Sequence, residues 1–153
     1  AVLDLHSTDK EEIKQMFKDW TDYSEKLMKG ELVAPELANH LVPPIDTGET
    51  VGLNPYRLTI TFGISPSFLD KLKMDNKKME EFKDLPHFPR DQIKDKYKGG
   101  DICIQACADD AQVAFHAVRN LVRKGRALIT LKWTQAGFAY WKWKRNSKKS
   151  FWI

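Results

Sequence analysis

Apolar residues recur along this chain in two rhythms, one helical and one of strands. In EEIKQMFKDWTDYSEKL, residues Ile13, Met16, Phe17, Trp20 and Leu27 fall three, four or seven apart and share one helix face. Thr8 followed by Glu11 has the form of a capping box ahead of that stripe, and Gly30 suits its end. A second stripe, Val113, Ala114, Ala117, Val118, Leu121 and Val122, predicts another helix, with Asp109 and Asp110 as caps before it and Gly125 as its stop. The strand rhythm is cleanest in YRLTITFG (56–63), where Leu58, Ile60 and Phe62 alternate with Arg57, Thr59 and Thr61. Residues 1–6, DICIQAC (101–107) and ALITLKWT (127–134) complete four strands. Between them, residues 30–54 carry Pro35, Pro43, Pro44 and Gly48 without periodicity and read as an excursion loop. Residues 64–98 are polar, lysine-rich and broken by Pro66, Pro86 and Pro89, with short helices expected near 66–73 and 77–83.

The order strand, helix, strand, strand, helix, strand predicts an α+β, ferredoxin-like split βαβ fold. Its four-stranded antiparallel sheet carries both helices on one face. Leu58, Ile60, Phe62, Ile102, Ile104 and Ala106 then face the helices. Thr59, Thr61, Cys103, Gln105, Cys107 and part of the fourth strand form the other face, which is neither charged nor strongly apolar. That composition suits a surface covered by something else, such as a second sheet.

At 153 residues, with 42% hydrophobic and 30% charged residues, the chain has the length and profile of one soluble globular domain. No apolar run approaches the roughly 20 residues that span a bilayer. The opening AVLDL reads as strand interior rather than as a signal peptide, so any targeting segment is expected to have been removed. Net charge is +4, but Lys142, Lys144, Arg145, Lys148 and Lys149 all lie in the last fifteen residues, and setting those five aside takes +4 to −1. Affinity for nucleic acid or an anionic surface would rest on the tail alone.

The candidate chemistry is sparse. Cys103 and Cys107 lie four apart in a strand, with Cα atoms about 13 Å apart, too far for a disulfide. Their spacing is not that of a zinc or redox pair, and they read as small buried residues. His6, His40, His87 and His116 are scattered. His116, beside Arg119 and Arg123, reads as a solvated helix-face residue rather than a metal or heme ligand. Asp46 and Glu49 in PPIDTGE read as turn formers, and the paired Gly99 and Gly100 as a turn. The residues alone identify no active site and no metal site.

One long stretch adds a family. GGDICIQACADDAQVAFHAVRNLVR (99–123) resembles a signature segment of the dye-decolorizing peroxidases, nearest their iron-transport-associated deferrochelatase/peroxidase branch. The likeness continues through EEIKQMFKDWT (11–21), PPIDTGE (43–49), LTITFGISPSFLD (58–70), LPHFP (85–89) and WTQAGF (133–138). The resemblance implies two ferredoxin-like halves packed sheet against sheet, one heme b bound mainly by the second half, peroxide-dependent oxidation, and iron removal from heme. It also implies a distal aspartate in a G-x-x-D-G motif, a distal arginine and a proximal histidine ligand. All lie at or beyond the junction of the halves, and none has a counterpart here. Accordingly no catalytic residue is carried over, no cofactor-binding residue is assigned, and this half is expected to bind no heme and to be inactive alone. The branch is exported by the twin-arginine route, and no such signal stands in this sequence.

The family-like region is expected to span 1–138 and a non-family tail 139–153. Reading the tail's codons one base on turns Trp141–Lys142, Trp143–Lys144 and Trp152–Ile153 each into a glycine, because Trp is only TGG and the following codon can begin with A. With permitted codons WKWKRNSKKSFWI becomes GNGKETPKNLFGF, close to the ETPRNLFGFKDG that follows a linker in the family. The tail is therefore expected to be out-of-frame translation. Through its open sheet face the domain is expected to form a homodimer, with no specific nucleic-acid partner. The alternatives are a stand-alone dimeric ferredoxin-like binding or heme-degrading protein, and a basic–aromatic tail that anchors to anionic surfaces.

Overall fold

The first helical stripe forms α1 (Lys10–Lys29) in the computed structural model, which describes residues 1–35, 41, 43–74, 79–140 and 149–153. Its cap is Asp9 rather than Thr8. The Asp9 carboxylate accepts from the backbone N–H groups of Glu11 at 2.8 Å and Glu12 at 3.2 Å. A charged acceptor at the positive end of a helix outweighs a hydroxyl one residue earlier. Gly30 ends the helix with φ of 77°, a left-handed conformation that costs glycine nothing.

Four strands build the expected sheet: β1 (Val2–Leu5), β2 (Thr59–Ile64), β3 (Ile102–Ala108) and β4 (Ile129–Trp133). They run antiparallel in the order β4-β1-β3-β2. Leu3 pairs with Leu131 but Val2 with Trp133, a bulge that admits Lys132 as an extra residue. Beyond β4 a hairpin adds β5 (Gly137–Tyr140) and β6 (Lys149–Trp152), and β6 pairs with β3 at Cys107 and Ala108.

The short helix α2 (Pro66–Lys71) forms as expected, capped by Ser65. The second stripe forms α3 (Ala111–Gly125), capped by Asp110, whose side chain accepts from Gln112 and Val113. Gly125 is there for closeness rather than for a special turn. A Cβ on it would sit 2.8 Å from Ile129 Cδ1 and 3.0 Å from Trp20 Cζ2. A second short helix near 77–83 does not appear among the described residues, which exclude 77 and 78. Residues 79–83 form a turn closed by Phe82 N–H to the Met79 carbonyl at 3.0 Å. Met79 is exposed and Phe82 packs only partly buried against the core, too small a buried face to repay the cost of nucleating a helix there. A single turn of 3₁₀ helix, Asp95–Tyr97, follows.

The core lies between the helices and one sheet face. Trp20, Leu3, Ile102, Ile104 and Leu121 are fully buried. Trp20 stacks on Phe62 with centroids 5.2 Å apart and planes 11° from parallel. Phe17 meets Trp20, Phe62 and Phe68 edge-on. The indole N–H of Trp20 donates to the Leu121 carbonyl at 2.9 Å, tying α1 to α3.

Candidate functional site

The polar centre of the molecule lies where the PPIDTGE loop meets α3. His116 and Asn120, one turn apart on α3, are almost wholly buried. His116 Nδ1 lies 2.7 Å from Glu49 Oε2, and its Nε2 lies 3.5 Å from Asp46 Oδ1. Asp46 is itself buried and accepts from the backbone N–H groups of Val33 at 2.7 Å and Gly48 at 2.8 Å. Asn120 donates to Thr47 Oγ1 at 3.0 Å and to the His116 carbonyl at 3.1 Å. Arg119 reaches the other Glu49 oxygen at 2.9 Å, while Gln112 donates to the Glu49 carbonyl. Burial pushes the Glu49 carboxyl up, but the Thr47 hydroxyl, His116 and a backbone N–H outweigh it and hold Glu49 below its ordinary range.

Two sequence readings are corrected here. His116 is not a solvated helix-face residue, and Asp46 and Glu49 do more than form a turn. Their side chains cross to α3 and fasten a loop that has no regular secondary structure of its own. The signal was present in the spacing: positions 116 and 120 lie three beyond Val113 and Ala117, on the flank of the buried stripe. A polar pair there must find partners, because a buried polar group without them is costly.

Chemically the cluster is saturated. His116 Nδ1 is engaged by Glu49 and its Nε2 is turned toward Asp46, so both ring nitrogens point into the cluster rather than to solvent. Among the described residues, no group of three or more His, Cys, Asp or Glu is placed to hold a metal ion. The cluster is a clamp. His116→Ala removes the side chain that both acids face and is expected to cost about 2–4 kcal/mol. Cleavage after Glu49 by a glutamate-specific protease should accelerate in that variant, measured against wild type below the unfolding transition.

The second feature is the sheet face turned away from the helices. Cys103 is exposed and Cys107 half-buried, which corrects their reading as buried residues. The cause is strand parity. Ile102, Ile104 and Ala106 take the core side of β3, so 103, 105 and 107 point outward. Gln105, Thr59 and Thr61 are exposed beside them. Trp133 lies against the edge of Tyr97 with centroids 5.8 Å apart, its indole N–H buried without a partner. A hollow of about 360 Å³ opens on this side, lined by Val2, Gly63, Gly100 and Cys103 among others. Of the remaining candidates, Asp109 forms a two-pronged ion pair with Arg57, and His6 bonds Thr130 at 2.5 Å. His87 is exposed. His40 and residues 141–148, with most of the tail's cations and two of its tryptophans, lie outside the described residues.

Comparison with known proteins sets this domain beside longer ones. The family profile described as Dyp-type peroxidase, N-terminal, matches residues 1–139. The Deferrochelatase of Escherichia coli (strain K12) is 28% identical over 140 residues, covering 90% of this chain and 33% of that protein. The Deferrochelatase of Shigella flexneri serotype 5b (strain 8401) gives the same identity and coverage. Among solved structures, DtpA from Streptomyces lividans, as an X-ray generated oxyferrous complex, superposes with a TM-score of 0.76 at 29% identity. It is matched over 86% of this chain and 34% of its own. A DyP-type peroxidase from Cellulomonas bogoriensis gives 0.71 at 31% identity, over 88% and 35%. The chain thus spans about one third of the length of these relatives.

Proposed function

Because the chain belongs to the Dyp-type peroxidase family, matched along its N-terminal domain, we propose that it serves as the amino-terminal half of a deferrochelatase-like heme peroxidase. The observation that carries this reading is the joint one of a match over residues 1–139 and an uncovered sheet face on that same stretch. A second ferredoxin-like half would pack on that face, burying Cys103, Gln105, Thr59 and Thr61.

Heme b would supply peroxide-dependent oxidation, and removal of iron from heme, in the complete protein. The donors described here do not fit that group. His116 is enclosed between two carboxylates, His6 is bonded to Thr130, and His87 stands exposed. The axial ligand and the acid–base groups near peroxide would come from the second half. What this chain's own residues supply is a rigid platform: the Trp20 core, the clamped loop and a flat face to seat the heme-binding half. Heme titration of this chain should give no sharp Soret band and no peroxidase turnover. A sharp band with turnover would overturn the reading.

Without that half, the same face is proposed to seat a second copy of the chain. Sedimentation at micromolar protein should find a homodimer, and Gln105→Glu, which sets like charges against each other across the two-fold, should return it to monomer. A wild-type monomer would sink the dimer. The tail from residue 139 is proposed to be out-of-frame translation, supported by the end of the family match at residue 139 and by the glycines that its codons yield one base on. The gene decides it. Codons that, read one base on, fail to encode a linker followed by G-F-K-D-G would refute it.

A further inference from the structure

α3 carries more apolar surface than the core takes up. Phe115, Val118 and Val122 follow one another at helical spacing, a row on the flank of the buried stripe. Val118 is buried and Val122 half-buried, but Phe115 is 50% exposed. Facing this row is Leu131 of β4, 45% exposed although its pairing with Leu3 sets it on the core side of the sheet. A groove of about 620 Å³ runs between them. That volume lies within the range of small-molecule clefts, roughly 300–1,000 Å³.

The charge along the groove has one sign. Arg119, Arg123 and Arg126 line it, and among the described residues no Asp or Glu does. They stand four and three residues apart, a second row beside the first that covers about 10 Å of helix axis. Arg119 gives one guanidinium nitrogen to Glu49 at 2.9 Å. Among the described residues, the side chains of Arg123 and Arg126 have no hydrogen-bond or ion-pair partner. Like charges at this spacing repel, so the row is held at a cost. The negative end of α3 steadies the last two arginines, but it does not account for the apolar row beside them.

We propose that this groove binds an amphipathic organic carboxylate. Its apolar body would lie on Phe115, Val118, Val122 and Leu131, and its carboxylate would pair with Arg123 and Arg126. A guanidinium fork matches a carboxylate with two parallel hydrogen bonds, and an apolar wall beside the pair limits screening by water. The groove is on the helix side of the sheet, away from the open face, so its occupancy does not depend on the peroxidase assignment.

The test titrates the full chain with sodium octanoate, 1-octanol and sodium acetate, and follows backbone amide chemical shifts. Octanoate should move the amides of Phe115, Val122 and Leu131 along one saturating curve and bind at least ~10-fold more tightly than octanol or acetate. Arg123→Gln with Arg126→Gln should weaken octanoate by at least ~10-fold and leave octanol unchanged. Leu131→Asn, at a half-exposed position, should weaken octanoate and octanol alike. Three results would overturn the proposal. Octanol binding as tightly as octanoate would remove the carboxylate from recognition. Octanoate binding unchanged by the paired arginine substitutions would place the anion elsewhere. Octanoate that fails to saturate by about 10 mM would remove the site.

Discussion

Trp20→Ala is expected to lower the unfolding free energy by about 3–5 kcal/mol, the upper range for emptying a large aromatic site. Trp20 has no exposed surface and stands where α1, α3 and β2 meet. Its removal ends the stack on Phe62 and the edge contact with Phe17, and it strips the Leu121 carbonyl of a donor in a place water does not reach. The site is poorly able to collapse. Gly125 backs so closely onto the indole that a methyl on it would sit 3.0 Å from Trp20 Cζ2. Trp20→Phe separates the contributions, because it keeps most of the ring and loses the hydrogen bond. Urea unfolding at neutral pH should place it near about 1–2 kcal/mol, well short of the alanine variant. Equal losses in the two variants would mean that the bond rather than the packing dominates.

Asp101→Ala should cost about 2–4 kcal/mol, and the loss should depend on pH. The Asp101 carboxylate is buried where β1, α2 and β3 converge. It accepts from Leu5 N–H at 2.7 Å, Ser67 Oγ at 2.6 Å and Lys71 Nζ at 2.6 Å. Burial pushes its pKa up, but Lys71, Ser67 and the Leu5 amide outweigh burial and hold the group below the ordinary aspartate range. A carboxyl depressed in the folded state adds stability in full above its unfolded value of about 4 and loses it as pH falls through the folded value. Asp101→Asn preserves shape but not charge. Its deficit against wild type should be largest near neutral pH and shrink toward about pH 3, as read by urea unfolding at both. Lys71 remains partly in solvent, which keeps the effect below that of a fully enclosed ion pair. A deficit that does not change with pH would show that Asp101 acts through shape alone.

The two clearest stripes in the sequence became the two long helices, and the strict alternation of YRLTITFG and DICIQAC became β2 and β3 with the core faces on the expected sides. These are cases where periodicity and burial have one solution. The misses have other causes. Asp9 rather than Thr8 caps α1, because neighbouring polar side chains compete for the same N–H groups and only geometry ranks them. For the cysteines, residue type misleads: a free thiol is usually buried, whereas strand parity sets 103 and 107 opposite in direction to Ile102, Ile104 and Ala106. His116, Asp46 and Glu49 are illegible as a unit because Glu49 and His116 stand 67 residues apart and no local pattern joins them. Finding them needs the step of asking what a polar residue on the shoulder of a buried stripe must bond to.

The placement of β1 sets a limit on how this protein can assemble. Its bonds reach far along the chain: Ala1 to Ile104 spans 103 residues, and His6 to Thr130 spans 124. The strand nearest the amino terminus is thus an inner strand of the sheet, and both of its neighbours, β3 and β4, are made some hundred residues later. At ordinary translation speeds it emerges roughly 5–20 s before β3 does, with its apolar Leu3 and Leu5 unpaired throughout. Helix propensity in α1 can do little to shorten that wait, because the loop that must close is nearly the whole chain. The rate-determining event is expected to be the late arrival of β3 and β4 around a strand that has been waiting, so mutations in that central pairing should slow folding more than any change made in the helices.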